Sequence, residues 1–178
     1  WGYKTVAKQD GTKERILEGS PWRLKTIFQT NMQTALSRGR YKQQLALKNE
    51  RPYLQYVAVM DSRTRPTHRL LNGKIFRYDD PFWDTHYPPN GFNCRCRVRS
   101  LTPEDIKERG LKIDSGKGKI QWQHVKSNTK SQEKVAIYKD NSGKSIPTDV
   151  GFSYNPGKAN VSPNLQKYSK DIARLWND

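Results

Sequence analysis

With 178 residues the chain is long enough for one domain, or one with a satellite, and 33% hydrophobic residues with 19 aromatics predict a modest core joined by long polar connections. Lys and Arg number 33 against 17 Asp and Glu, and the resulting +16 points to polyanionic partners, nucleic acid first, drawn in by counterion release. No apolar run approaches the roughly 20 residues of a membrane span, so no membrane partner is expected, and the start at Trp1 leads to the expectation of a fragment.

In chain order, residues 1–19 read as an N-terminal arm. Ser20-Pro21 is then a helix start signal, because Ser20 offers a capping oxygen and Pro21 suits the first helical position. The helix is expected from Trp22 to Asn49, with Leu24, Ile27, Phe28, Asn31, Ala35 and Leu36 on one face and Arg23, Lys25, Gln29, Gln33 and Arg40 opposite. Arg51-Pro52 ends it, and Tyr53 to Met60 is rich in β-branched and aromatic residues, which predicts a strand. Asn72-Gly73 between apolar pairs is a hairpin signal.

The segment from Asp79 to Gly91 holds too many Pro and Asp for regular structure and reads as an ordered loop pinned by Phe82, Trp83 and Tyr87. An extended run follows from Phe92 to Leu101, in which period two sets Cys94, Cys96 and Val98 against Arg95, Arg97 and Arg99. Thr102 caps a short helix, and the stretch 114–120 reads as a flexible linker. Two strands, Ile120 to Val125 and Glu133 to Asp140, are followed by a turn at Asn141-Ser142-Gly143 and, in the tail, by a helix carrying Leu165, Tyr168, Ile172 and Leu175. The fold class expected is α+β, a long N-terminal helix on a small antiparallel sheet, with residues 20–115 as the main domain and 116–178 as a small extension or arm.

Cys94 and Cys96 are the two cysteines of the chain. A disulfide between them is disfavoured, because residues two apart on a strand have Cα atoms about 6.5 to 7 Å apart. Two thiols facing one way suit zinc, with His68 and His86 from the same loop-rich stretch as further ligands and Asp61 as a substitute. The alternative is a pair of buried thiols packed as small hydrophobes beside hydrogen-bonded histidines. Arg95, Arg97 and Arg99 present three forks at about 7 Å intervals, suited to phosphate or to guarding a sheet edge. Asp61, Arg63, Arg65, His68 and His86 would also furnish a nuclease or toxin-like phosphodiesterase site, but no pair of acidic metal ligands stands at convincing spacing.

Four blocks, "GSPWRLKTIFQTNMQTA", "DSRTRPTHRLLNGKIF", "DDPFWDTHYPPNGFNCRCRV" and "VGFSYNPGKA", together resemble the minor head proteins of tailed phages, the phage Mu F-like head morphogenesis family. The resemblance covers Glu18 to Thr102 most fully. It implies a non-enzymatic virion component, made in the host bacterial cytoplasm, that acts in head assembly near the portal, with phage DNA and portal or other head proteins as partners and no small-molecule substrate. It also implies a zinc-knuckle-like region with five ligand positions. Here these are Arg65, His68, Gly91, Cys94 and Cys96, so two of the five lack a ligand type. Arg63 and Arg65 join the three strand arginines as expected DNA contacts.

Overall fold

The structure, a computed structural model, describes residues 3–7, 11–17, 19–126 and 132–159. The expected tail helix lies outside them. The arm at the N-terminus contains an antiparallel hairpin of β1 (Tyr3–Ala7) and β2 (Lys13–Leu17), which sequence reasoning did not foresee.

Helix α1 runs from Pro21–Ala46, about 39 Å at 1.5 Å per residue. Pro21 fills the first helical position as expected, but the Ser20 side chain makes no capping bond; its carbonyl accepts from Arg23 and Leu24 instead. The central strand β3 (Tyr53–Val57) is flanked by β4 (Ile75–Arg77) and β5 (Arg97–Leu101), both antiparallel to it. Tyr53 faces Arg77 on one side and Leu101 on the other.

The expected hairpin at Asn72-Gly73 is a different turn. Pro66 starts a short helix α2 (Pro66–Leu71), so Leu70 and Leu71 close a helix rather than a strand, and Gly73 takes φ 82° to enter β4. Asn72 Oδ1 fastens this turn to the end of β3 by accepting from the Ala58 amide at 3.0 Å.

The Asp79–Gly91 segment, expected as an ordered loop lying over one end of the domain, is instead the centre of the core. It contains the short helix α3 (Phe82–Thr85), and every residue from Phe82 to Gly91 except Asp84 is buried. The Phe82 ring stacks on Phe76 of β4 with centroids 4.0 Å apart and meets Tyr138 edge-on at 5.0 Å. Tyr138 belongs to the second sheet, in which β7 (Gln132–Lys139) pairs with β6 (Ile120–Lys126) and with β8 (Ser145–Pro147). Tyr138 and Ile146 thereby share one buried cluster with Tyr41, Leu54, Tyr56 and Phe76.

Helix α4 (Pro103–Glu108) is capped by Thr102 as the sequence signal predicts, and the Asp105 side chain completes a reciprocal capping box with it. The expected flexible linker is tied down: the Gly116 amide donates to the Asp80 carboxylate at 3.0 Å, and the Asp114 amide to the Ile75 carbonyl at 2.7 Å.

Candidate metal centre

Three side chains from two chain segments meet behind β3. Helix α2 presents His68, which is buried, and the run entering β5 turns Cys94 and Cys96 inward while Arg95 and Arg97 point out, in the alternation expected from the sequence. A tight turn aims the first thiol: the Cys94 amide donates to the Gly91 carbonyl at 3.2 Å, and Asn93 sits at φ 57°.

His68 Nδ1 lies 3.7 Å from Cys94 Sγ and 3.6 Å from Cys96 Sγ, and the three ligand atoms are within 4.8 Å of one another. In a tetrahedral zinc site with bonds of 2.0 to 2.3 Å, nitrogen and sulfur ligands stand about 3.6 Å apart. The histidine edges of a zinc tetrahedron are therefore already set. The residues present fit the metal through three ligands, and among the described residues no fourth His, Cys, Asp or Glu joins them. A cavity of about 230 Å³ lined by the same three residues with Arg63, Arg65 and Asn93 adjoins the cluster.

The electrostatics of the pair suit a cation. Cys94 is pushed down to about 4, first by the hydrogen bond it shares with Cys96 and also by His68. Cys96 is pushed up, because it keeps the proton that bonds to its neighbour. A cation bound there would draw off the thiol protons as it binds. Behind the sulfurs stands Tyr56, whose hydroxyl is fully buried, stays protonated, and accepts from Asn90 Nδ2 at 3.1 Å.

The other expected ligands do not converge here. His86 is a core residue: Nε2 donates to the Ile146 carbonyl at 3.0 Å, Nδ1 accepts from the Thr85 hydroxyl at 2.8 Å, and the ring stacks on Phe82. With both nitrogens engaged it has no lone pair free for a metal, and burial pushes it down to about 4. Asp61 is gripped by Arg95 through two bonds of 2.8 and 2.6 Å and also accepts from the Arg63 amide and Thr64, which together hold its carboxyl well below the usual range. The carboxylate organises the turn ahead of α2. Of the residues of the phosphodiesterase reading, Arg63, Arg65 and His68 line the cavity beside the cluster, while Asp61 is held by Arg95 and His86 lies apart in the core.

Arg65 and Gly91, the two positions without a ligand type, meet each other. Arg65 pairs with Asp149 at 2.9 Å and donates to the Phe92 carbonyl at 3.3 Å, crossing so near Gly91 that an added Cβ would lie 2.1 Å from Nη1 and 2.3 Å from Asp149 Oδ2. Sequence reasoning missed Asp149 and the crossing of its ion pair over Gly91, since no local signal links residues so far apart. Among the other arginines, Arg99 donates to Gln55 at 2.6 Å and Arg63 has an 80% exposed side chain only 4.0 Å from Asp61 at its nearest. Arg97 is exposed and has no polar side-chain partner among the described residues.

A family model described as Phage Mu protein F like protein matches residues 2–99. The chain belongs to this family. The match spans α1, β3, β4, the start of β5 and all three cluster residues. Within this F-like family, the putative capsid assembly protein F of Escherichia phage Mu is 44% identical over 165 residues, 89% of this chain and 37% of the relative. The Mu-like prophage FluMu F protein of Haemophilus influenzae is 42% identical over 164 residues, 89% of this chain and 39% of the relative. The chain thus spans about two fifths of the length of these F-like relatives. No solved structure matches it.

Proposed function

We propose that this chain is a non-enzymatic, virion-associated component of phage head assembly, built around a structural zinc and binding packaged DNA, the portal or other head proteins through its basic surface. The observation that carries the assembly role is the 44% identity, across 89% of the chain, with a relative named as a putative capsid assembly protein. His68, Cys94 and Cys96 would hold the zinc, which would supply a cross-link between α2 and the start of β5. Arg63 and Arg97, the least engaged of the five expected DNA contacts, would reach phosphates first.

Deleting the gene in the phage that carries it tests the assembly role. Electron microscopy of the lysate is expected to show few or no DNA-filled heads, restored when the protein is supplied in trans; a normal yield of filled heads without it would overturn the role. Plasmid incubated with the purified chain and a divalent metal is expected to stay uncut. Efficient cleavage lost in His68→Ala would replace this reading with the nuclease one.

A further inference from the structure

Helix α1 rests on the body through its less apolar side. Ser37, Tyr41 and Gln44 are its buried residues, and Gln33 and Gln44 bond to carbonyls of Cys96 and Val98. The apolar side looks outward: Leu24, Phe28 and Leu36 of the face read as apolar from the sequence are 42, 66 and 56% exposed, and Met32 beside them is 46% exposed. Their spacing of four residues aligns them in one stripe about 18 Å long. Phe28, Met32 and Leu36 form one wall of a groove of about 520 Å³ whose far wall carries Pro89, Asn93 and Arg63. Contiguous apolar surface of this kind on a soluble body marks an interaction site.

Charge narrows the occupant. Helix α1 carries Arg23, Lys25, Arg38, Arg40 and Lys42 and no Asp or Glu, its N-terminus adds the positive end of the helix dipole, and Arg63 stands across the groove. A second copy of this chain would bring the same charges against themselves, and nucleic acid would leave Leu24, Met32 and Leu36 without an apolar partner. We propose that this groove docks an amphipathic helix of a partner protein whose apolar stripe is flanked by Asp and Glu. The mode is helix in groove, with apolar anchors every third or fourth residue and acidic flanks facing the basic rim. It rests on the assembly role only in taking the partner to be a structural protein.

The full chain is tested by fluorescence anisotropy, at physiological salt, with a labelled helical peptide carrying Leu at i, i+4 and i+8 and Glu on its flanks. Two control peptides replace the leucines by Ser or the glutamates by Lys, and the protein variant is the double substitution Phe28→Asp and Met32→Asp, both exposed positions, checked for folding by circular dichroism. Each of the three changes is expected to weaken binding about tenfold or more. Equal binding of the Ser peptide, or unchanged binding by the folded double variant, would overturn the proposal in favour of unspecific charge attraction. So would light scattering that shows a dimer dissolved by the variant, tighter peptide binding on removal of residues 160–178, or oligo-dT held by the wild type and lost by the variant. These name a second copy, the chain's own tail and nucleic acid as occupants. None of these readouts depends on whether the phage forms heads, so failure of the groove and failure of the assembly role remain distinct.

Discussion

Replacing Cys96 with Ser leaves a small polar side chain in place of the thiol but removes a soft ligand, and a serine hydroxyl keeps its proton where a thiol would yield it to zinc. Metal analysis of the purified chain is expected to give about one equivalent of zinc, lost in Cys96→Ser and in His68→Ala with a fall in melting temperature. Metal-free wild type with an unchanged melting temperature in both variants would reduce the cluster to packed side chains. His86 makes a different prediction. It is neutral in the fold, pushed down to about 4 foremost by burial, whereas in the unfolded chain it takes a proton near 6.5. Between those values the unfolded state binds more protons, so stability rises with pH across the window and is lost as pH falls, by about 3 kcal/mol in all. Below about 4 both states are protonated and this contribution is constant. Denaturant titrations from pH 7 to 4 are expected to show that slope in the wild type and a shallower one in His86→Gln; parallel slopes would assign the acid sensitivity elsewhere.

Elements in this fold are joined by polar side chains at places where pattern reading expects apolar ones. Gln44 lies buried in α1, donates to the Val98 carbonyl at 3.0 Å and accepts from the Tyr87 hydroxyl at 2.8 Å. Gln44→Leu adds apolar surface to the buried side of the helix yet leaves two buried polar groups without partners, so it is expected to destabilise by about 1 to 3 kcal/mol in urea titration. A more stable variant would mean that the helix holds the sheet by apolar packing after all. The connection before β6 behaves similarly. A Cβ at Gly116 would stand 2.6 Å from Asp80 Oδ1, 2.8 Å from Phe82 Cβ and 3.0 Å from the Phe82 amide nitrogen. Gly116→Ala must shift backbone, and a loss of about 1 to 3 kcal/mol is expected, where a true linker would tolerate the change.

For the molecule as a whole, net charge governs long-range behaviour while pairing governs which arginines are free to act. Arg65 and Arg95 are spent on Asp149 and Asp61, and Arg99 is engaged by Gln55. Duplex DNA binding is expected to weaken steeply with salt and to show little sequence preference, with Arg97→Ala lowering the log–log salt slope by about 1 and Arg95→Ala lowering it less. Filter binding across a salt series decides it; an affinity indifferent to salt would make proteins, not DNA, the main partner.

Local chemistry determined much of this protein in its sequence. Ser20-Pro21 and Arg51-Pro52 bracket α1, Thr102 and Asp105 cap α4, and period two from Cys94 to Arg99 turns sulfur inward and guanidinium outward, because backbone sterics and side-chain alternation act within a few residues. The spacing of the thiols was legible for the same reason. Which face of α1 is covered was not, since an amphipathic pattern states only that one side is apolar, and here two glutamines reaching strand carbonyls set the helix down on the other. Nor could spacing choose between His68 and His86. Both are buried imidazoles, and only the packed structure gives one of them two thiols and the other a hydroxyl and a carbonyl. Tertiary structure decides such cases because a ligand is defined by where its lone pair points, and that direction is fixed by neighbours many residues away.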